Sequence, residues 1–412
     1  MKGFFNLISS EEFASFFPGF HPLEQEEVSL DRALGRVSGR AVTAPADLPP
    51  FARSTMDGFA VRARDTFGCS ESEPALLSIQ GEVAMGVPGA SISLRPGQAA
   101  RIWTGGSLPT NADSVVMVEY TRLLDETMVE VFRPVAPGEN VIRAGEDYGC
   151  GETVLKTGHR LRPQDLGVLA GLGITAVQVH RRPRVAIIST GDELVEPDRE
   201  PGPGQIRDIN STTLAGLVRE SGATPQPLGI VRDDLDAMYD LCARAVQDAD
   251  MVLLSGGSSV GRRDFTLQVL ERLPGARLLA HGVAIRPGKP TILAQIGNKA
   301  VYGLPGHVAS SMVVFYLLVR PLLRRYSGLP ADPGLPRIQA RTGEVIPSTA
   351  GREEYMRVRL SWQDSGQPPV ATPAYGRSGL LSPLVRAHGL LVIGRDSEGL
   401  DKGELADVLL FP

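Results

Sequence analysis

Val185-Ala186-Ile187-Ile188-Ser189-Thr190-Gly191-Asp192-Glu193 is an apolar run of strand length that ends in a loop of small residues, and the pattern recurs twice downstream. Met251-Val252-Leu253-Leu254 leads into Ser255-Gly256-Gly257-Ser258-Ser259-Val260-Gly261, and Ala300-Val301-Tyr302 leads into Gly303-Leu304-Pro305-Gly306, each ahead of a helix-like segment. Apolar runs without polar alternation fit strands buried on both faces. Such β-loop-α units place their loops at the carboxyl ends of parallel strands, where backbone N–H groups and helix N-termini approach an anion closely. The expected centre of the chain is a parallel, doubly covered sheet with a site for a phosphorylated ligand at that edge.

The flanks follow from this core. Ser211 to Glu220, closed by Gly222, reads as a helix, as does Asp233 to Val246 with an Asp at the cap. A hairpin is expected at Gly297-Asn298, and the apolar stretch from Val308 to Arg325 reads as a buried helix stopped by Gly328 and Pro330. Arg182-Pro183 is the sharpest boundary. Before it, helix signals at Ser10-Glu11-Glu12, Ser29 to Val37 and Pro163 to Gly173 enclose short β-type runs such as Ala75 to Val83 and Val115 to Val118. After Ala331, the runs Arg337 to Val345, Tyr355 to Trp362, Leu390 to Ile393 and Val408 to Phe411 look like strands of a small barrel, interrupted by helix-like Leu380 to Ala387. The expected fold is multidomain α/β plus β: a discontinuous helical linker layer (1–44 and 141–182), a mostly β domain (45–140), a central three-layer α/β/α domain (183–330) and a C-terminal β-barrel (331–412).

Composition removes several function classes. A net charge of -5 and a pI near 5.8 leave no basic footprint for nucleic acid. Cys69, Cys150 and Cys242 are scattered and form no metal-ligand pair or disulfide framework, which fits a reducing cytosol. The apolar start Met1 to Ile8 is too short for a secretory signal, and Met312 to Val319 falls short of the ~20 residues needed to cross a bilayer. A cytoplasmic protein without membrane attachment is expected.

The strongest chemical constellation is Thr190-Gly191-Asp192-Glu193 with Asp233-Asp234 and Asp264, all beside loops of the α/β domain. Carboxylates next to an anion-binding loop need a counterion, and oxygen ligands suit Mg²⁺ bridging to substrate phosphates. A single Asp here also serves as a helix cap, so the argument rests on the group. The Ser255 to Gly261 loop is rich in hydroxyl and unhindered N–H donors. Arg286-Pro287-Gly288-Lys289-Pro290 sets two cations three residues apart on a stiff turn, able to grip one oxyanion or to serve only as a solvated turn. Thr104-Gly105-Gly106 and Arg143 to Asp147 carry donors and charges but say little alone. Gly257 to Gly261 formally matches a Gly-x-Ser-x-Gly nucleophile elbow, with Ser259 as nucleophile and His281 or His307 as base. Against it, Ser255-Gly256-Gly257 already lengthens the loop beyond the strand. Gly-x-Gly-x-x-Gly and Walker A patterns are absent.

Taken in order, these segments resemble the molybdopterin molybdenumtransferase family, whose animal relative is the carboxyl-terminal part of gephyrin. The resemblance runs through Met56-Asp57-Gly58, Thr104-Gly105, Ala112 to Val116, Arg143 to Asp147, Ser189 to Leu194, Ser255 to Gly261, Pro287 to Pro290, Leu304 to Gly306 and Ser378 to Gly389. It implies an enzyme that takes adenylylated molybdopterin and molybdate, releases AMP with Mg²⁺, and inserts the metal into the dithiolene; tungstate enters as an alternative oxyanion only through this chain's departures from the family pattern. It further implies that Asp192, Glu193, Asp233 and Asp264 hold the cation. Gly191, Ser255, Gly256, Gly257, Ser259, Arg286, Lys289, Pro305, Ser310, Arg357 and Ser378 would bind substrate and oxyanion. Asp57, Thr104, Arg143, Asp147, Thr190 and Glu193 would complete a catalytic cleft shared across a homodimer.

Three departures stand out. The family's usual Lys-Pro-Gly-Lys-Pro is Arg286-Pro287-Gly288-Lys289-Pro290 here, which keeps the charge but replaces an ammonium with a planar fork. Its Leu-Pro-Gly-Asn-Pro is Leu304-Pro305-Gly306-His307-Val308, which loses an amide and a rigid φ. Gly261-Arg262-Arg263-Asp264 is more basic than usual. A non-catalytic cofactor-binding or scaffold paralogue is the alternative, and absence of AMP release on ligand binding would distinguish it.

Overall fold

A computed structural model of the chain describes residues 7–256, 265–362 and 366–412. Two compact units form: one from the described part of Met1–Glu26 with Gly35–Gly39 and Gln178–Pro412, the other from Glu27–Leu34 and Arg40–Val177.

The first unit is built on a six-stranded sheet in the order Thr224–Val231, Arg184–Thr190, Met251–Ser255, Lys299–Leu304, Ile292–Ile296, Arg277–His281. Four neighbouring strands are parallel, and Ile292–Ile296 runs antiparallel to both Lys299–Leu304 and Arg277–His281, so the parallel sheet carries the expected hairpin at its edge and is mixed. The Gly297-Asn298 turn is the reason, because a tight hairpin can only join antiparallel strands. Alternate residues of one strand feed opposite cores. Val185 and Ile187 pack with Leu214, Leu217 and Val218 of helix Asn210–Glu220 and with the Val308 to Tyr326 helix. Ala186 and Ile188 pack with Met238, Cys242 and Ala245 of helix Leu235–Asp248 and with Val269 and Leu270 of helix Phe265–Arg272. That two-sided burial produces three layers and explains the unbroken apolar run.

The expected apolar helix comprises α-helix Val308–Val314, a π-helical turn Phe315–Val319 and α-helix Arg320–Tyr326. Pro321 brings no N–H to this ladder, and the carbonyl of Leu318 accepts from the buried Tyr302 hydroxyl at 2.8 Å. At the Arg182-Pro183 boundary, the Arg181 guanidinium grips Asp250 with bonds of 2.6 and 2.7 Å, and the Arg184 N–H adds a third bond of 2.8 Å to the same carboxylate.

The barrel closes with five strands. Glu353–Ser361 pairs with Val370–Pro373 and Gly389–Ile393, Leu405–Leu410 pairs with Gly389–Ile393 and Arg337–Thr342, and Arg337–Thr342 returns to Val370–Pro373. Val370–Pro373 was not expected from the sequence, where prolines at 368, 369 and 373 disguise it as a loop. Val358, Leu360, Leu391, Ile393 and Val408 fill the interior. Ile285–Arg286 pairs in parallel with Glu353–Glu354, so the Arg286 turn is tied to the barrel.

The second unit contains a six-stranded sheet ordered Ser114–Met117, Gly58–Val61, Gln98–Ile102, Ala75–Val83, Met128–Val131, Thr121–Leu123. Phe59, Val61, Leu77, Ala99, Val116, Val129 and Val131 form its core. Helix Pro163–Gly171 starts with Pro as expected and gives way to Gly173 at φ 73°. The helix expected over Ser29 to Val37 shrinks to Leu30–Ala33, because Gly35 at φ 73° breaks the helical path. Among the described residues no helix is long and apolar enough to cross a membrane.

Candidate active site

Three strand ends meet at one cleft of about 640 Å³ in the first unit, lined by Thr190, Gly191, Glu193, Asp233, Ser255, Gly256, Pro305, Gly306, His307 and Ser310 among others. The backbone there demands glycine. Gly256 has φ +105°, and a Cβ on it would lie 2.4 Å from the Thr190 carbonyl oxygen. Gly191 has φ +150°, and a Cβ there would lie 2.6 Å from Glu193 Oε2. The Glu193 carboxylate thus folds back over Gly191, whose positive φ is the feature that favours glycine there.

Asn210 joins two of the loops: its Nδ2 donates to Ser255 Oγ at 2.7 Å and to the Gly306 carbonyl at 2.8 Å. Sequence reasoning missed it, because an Asn at a helix start reads as a cap. The buried Asp208, also missed, accepts from the Ser211 N–H at 3.1 Å and fixes the start of that helix. The loop after Thr190 does not pass directly into a helix as expected. Leu194–Val195 first pairs in parallel with Ile206–Arg207.

The carboxylates separate by role. Asp234 is the cap of helix Leu235–Asp248, accepting from the Ala237 N–H at 2.7 Å. Asp233 is therefore not needed for that cap and lines the cleft. Asp192 Oδ1 accepts from the Asp233 N–H at 3.2 Å, which brings Asp192, Glu193 and Asp233 to one corner. Among the described residues no three carboxylate, imidazole or thiol groups close into a metal cage. This donor set still fits Mg²⁺, which keeps several waters and completes its shell with one or two carboxylates and substrate phosphates. Thr190 Oγ1 is buried with no hydrogen-bond partner among the described residues. Gly257, Ser259 and Asp264 lie outside the described residues.

The barrel supplies the far wall. Ser378 Oγ lies 2.7 Å from His307 Nδ1, and the Ser378 carbonyl accepts from the Ala309 N–H at 3.1 Å. Arg357 Nη2 donates to the Gly376 carbonyl at 2.5 Å, while its buried Nη1 has no hydrogen-bond partner among the described residues. Burial pulls the Arg357 guanidinium below its ordinary pKa. Arg286 is engaged with the barrel, because its Nη1 lies 3.3 Å from Oε2 of the buried Glu354, which also accepts from Ser348 Oγ at 2.6 Å. The Lys289 carbonyl accepts from the Val283 N–H at 3.0 Å, and neither Arg286 nor Lys289 lines the cleft, whereas Pro290 does.

The remaining candidates belong to the second unit. Asp57 Oδ1 accepts from the Thr104 N–H and hydroxyl, both at 2.7 Å, and these two bonds, the amide's first, hold its carboxyl below the usual range. The Arg143 N–H donates to Glu146 Oε2 at 2.9 Å, and the Asp147 N–H to the Leu48 carbonyl at 3.0 Å. These bonds shape the loops and leave the Arg143 guanidinium and Asp147 carboxylate uninvolved in them.

Fold and cleft together define an α/β protein with a cleft at the carboxyl ends of its parallel strands, the place where open α/β sheets bind ligands. Residues 8–173 match the MoeA N-terminal region (domains I and II), 186–325 the probable molybdopterin binding domain, and 339–411 the MoeA C-terminal region (domain IV). The chain belongs to the molybdopterin molybdenumtransferase family and is a transferase of molybdenum cofactor biosynthesis. It is 35% identical to a molybdopterin molybdenumtransferase of Nostoc sp., covering 94% of this chain and 89% of that one. It is 36% identical to molybdopterin molybdenumtransferase 2 of Mycobacterium tuberculosis, covering 90% and 91%. The crystal structure of the molybdopterin biosynthesis moeA protein of Pyrococcus horikoshii OT3 superposes with a TM-score of 0.84 at 33% identity, covering 98% of this chain and 100% of that one.

Proposed function

We propose that the cleft takes adenylylated molybdopterin, hydrolyses its phosphoanhydride with water to release AMP and leave the pterin phosphate, and inserts the metal of molybdate or tungstate into the dithiolene. One observation carries this reading: three strand-end loops, at Gly191, Gly256 and Gly306, the first two of them at positive φ, surround a single cleft that has a carboxylate corner at one side and the Ser378 loop at the other. A phosphoanhydride needs close backbone approach and a cation, and an oxyanion needs hydroxyl and guanidinium donors.

In this reading Asp192, Glu193 and Asp233, with Asp264, hold Mg²⁺. The ion, when bound, neutralises charge on the phosphates. Ser255 and the Gly256 backbone orient the pterin phosphate, and Asn210 keeps Ser255 in place. Ser310, which lines the cleft, meets the oxyanion together with Ser378, Arg357 and Lys289, three residues outside that lining whose role here rests on the family resemblance, with Arg286 steadied by Glu354. The chain works as a homodimer in which Asp57, Thr104, Arg143 and Asp147 of one copy complete the cleft of the other, a proposal that rests on the family resemblance.

The test is to mix the purified chain with adenylylated molybdopterin, Mg²⁺ and molybdate or tungstate, and to follow AMP. AMP release that requires Mg²⁺ and is coupled to oxyanion uptake is expected. Tight binding of the organic substrate without AMP release would refute the proposal.

A further inference from the structure

His307 immediately precedes helix Val308–Val314, where a polar side chain usually caps exposed N–H groups. It makes no side-chain capping bond. Its Nδ1 instead faces Ser378 Oγ at 2.7 Å, and the Ala309 N–H is taken by the Ser378 carbonyl at 3.1 Å. The barrel loop carrying Ser378 is thus fastened at two points to the start of the helix. Arg357 holds the same loop from the barrel side through the Gly376 carbonyl. His307 lines the cleft, as does Gly379 next to Ser378. A serine hydroxyl has one proton and two lone pairs, and it rotates to suit its surroundings unless a partner fixes it.

We propose that His307 is the positioning residue for Ser378, holding the Ser378 hydroxyl in one orientation toward the oxyanion. This rests on the reading of Ser378 as an oxyanion ligand. The imidazole acts through its Nδ1 atom, which is bonded directly to Cγ. An asparagine amide branches at the same carbon and reaches the same point, whereas alanine does not. The atom that matters is therefore the one nearest the backbone, and Nε2 is dispensable.

The test uses the full chain and measures KM for molybdate, KM for adenylylated molybdopterin, and kcat. His307→Ala raises the molybdate KM about two- to tenfold, the range for one lost neutral hydrogen bond. The organic-substrate KM and kcat stay close to those of the unsubstituted chain. His307→Asn behaves almost as the unsubstituted chain, and His307→Ala adds nothing in a Ser378→Ala background, because the two residues act as one unit. The proposal is overturned if His307→Asn is as impaired as His307→Ala, or if the effects of His307→Ala and Ser378→Ala simply add. If Ser378→Ala raises the molybdate KM and His307→Ala does not, only the positioning role falls. If Ser378→Ala leaves it unchanged, the oxyanion reading of Ser378 falls too. His307 is exposed, so a melting temperature unchanged by His307→Ala is expected and separates loss of positioning from loss of fold.

Discussion

Gly256→Ala is the sharpest test of how the cleft is built. The residue sits at φ +105°, where a side chain costs about 1–3 kcal/mol in backbone strain. The added methyl group would also lie 2.4 Å from the Thr190 carbonyl oxygen and 2.8 Å from Thr190 Oγ1. Both are backbone or tightly packed atoms at the end of a central strand, so neither can swing away. Relief requires the Ser255-Gly256 backbone to move by roughly 1 Å, a displacement able to cost about 100-fold in rate. Strain and residual overlap together destabilise the unit by about 3 kcal/mol, equivalent to a fall of roughly 6–12 °C in melting temperature for a domain of this size. The control is Gly275→Ala, also at positive φ (74°) but with nothing within 4 Å of the new methyl group, which should lose only the backbone term of about 1–2 kcal/mol. The assays are a thermal melt of each variant and AMP release under saturating substrate. If Gly256→Ala melts no lower than Gly275→Ala and turns over normally, the loop is not pinned against Thr190 and the account of the cleft fails.

Asp192→Asn and Glu193→Gln should abolish Mg²⁺-dependent AMP release while leaving the melting temperature within about 1 °C, since exposed polar substitutions usually change stability by under about 0.5 kcal/mol; near-normal turnover in both would remove the carboxylate corner from the mechanism. Lys289→Ala should raise the molybdate KM more than that of the adenylylated substrate, and equal effects on both would show that Lys289 does not act on the oxyanion. Asp250 carries a pH prediction: burial pushes its carboxyl up, but the Arg181 guanidinium and the Arg184 N–H outweigh burial and leave it below the ordinary carboxylate range. A depressed value means stability present above the unfolded value of about 3.9 and lost as pH falls through the folded one. Asp250→Asn should cost about 3 kcal/mol at pH 7 in urea titrations, and the gap to the unsubstituted chain should narrow in acid; a gap that does not narrow would show that the ion pair is not its source.

The elements legible in the sequence are those whose burial is decided by the strand itself. Val185 to Ile188 is apolar at every position because both of its faces are covered, so no knowledge of the neighbours is needed to place it. Val370–Pro373 is the opposite case. Its prolines argue against a strand, and it is one only because Arg337–Thr342 and Glu353–Ser361 need a partner between them to close the barrel. The site divides in the same way. Gly191, Gly256 and Gly306 stand out locally, since a loop that lets backbone approach a ligand must be made of small residues. Asn210 does not, because its importance lies in bonds to Ser255 and Gly306, which follow it by 45 and 96 residues. Arg286 reads in the sequence as a cation on an open turn, and only the pairing of Ile285–Arg286 with Glu353–Glu354 shows that it is engaged with a carboxylate.

His307 shows how far a departure from a family pattern is readable. By residue type, the change from Asn to His loses an amide and exchanges a small neutral group for a ring that is able to carry charge. By atom position, Nδ1 still stands one bond from Cγ, and it meets Ser378 Oγ at 2.7 Å. The hydroxyl it meets lies 71 residues away on the barrel, so no local reading of Leu304-Pro305-Gly306-His307-Val308 brings the two together. This contact joins a strand-end loop to a barrel loop, and such contacts exist only once both have folded. The loops of this cleft were therefore identifiable from small-residue patterns, whereas the side chains that hold the Ser255 and Ser378 hydroxyls became identifiable only from bonds between segments far apart in sequence.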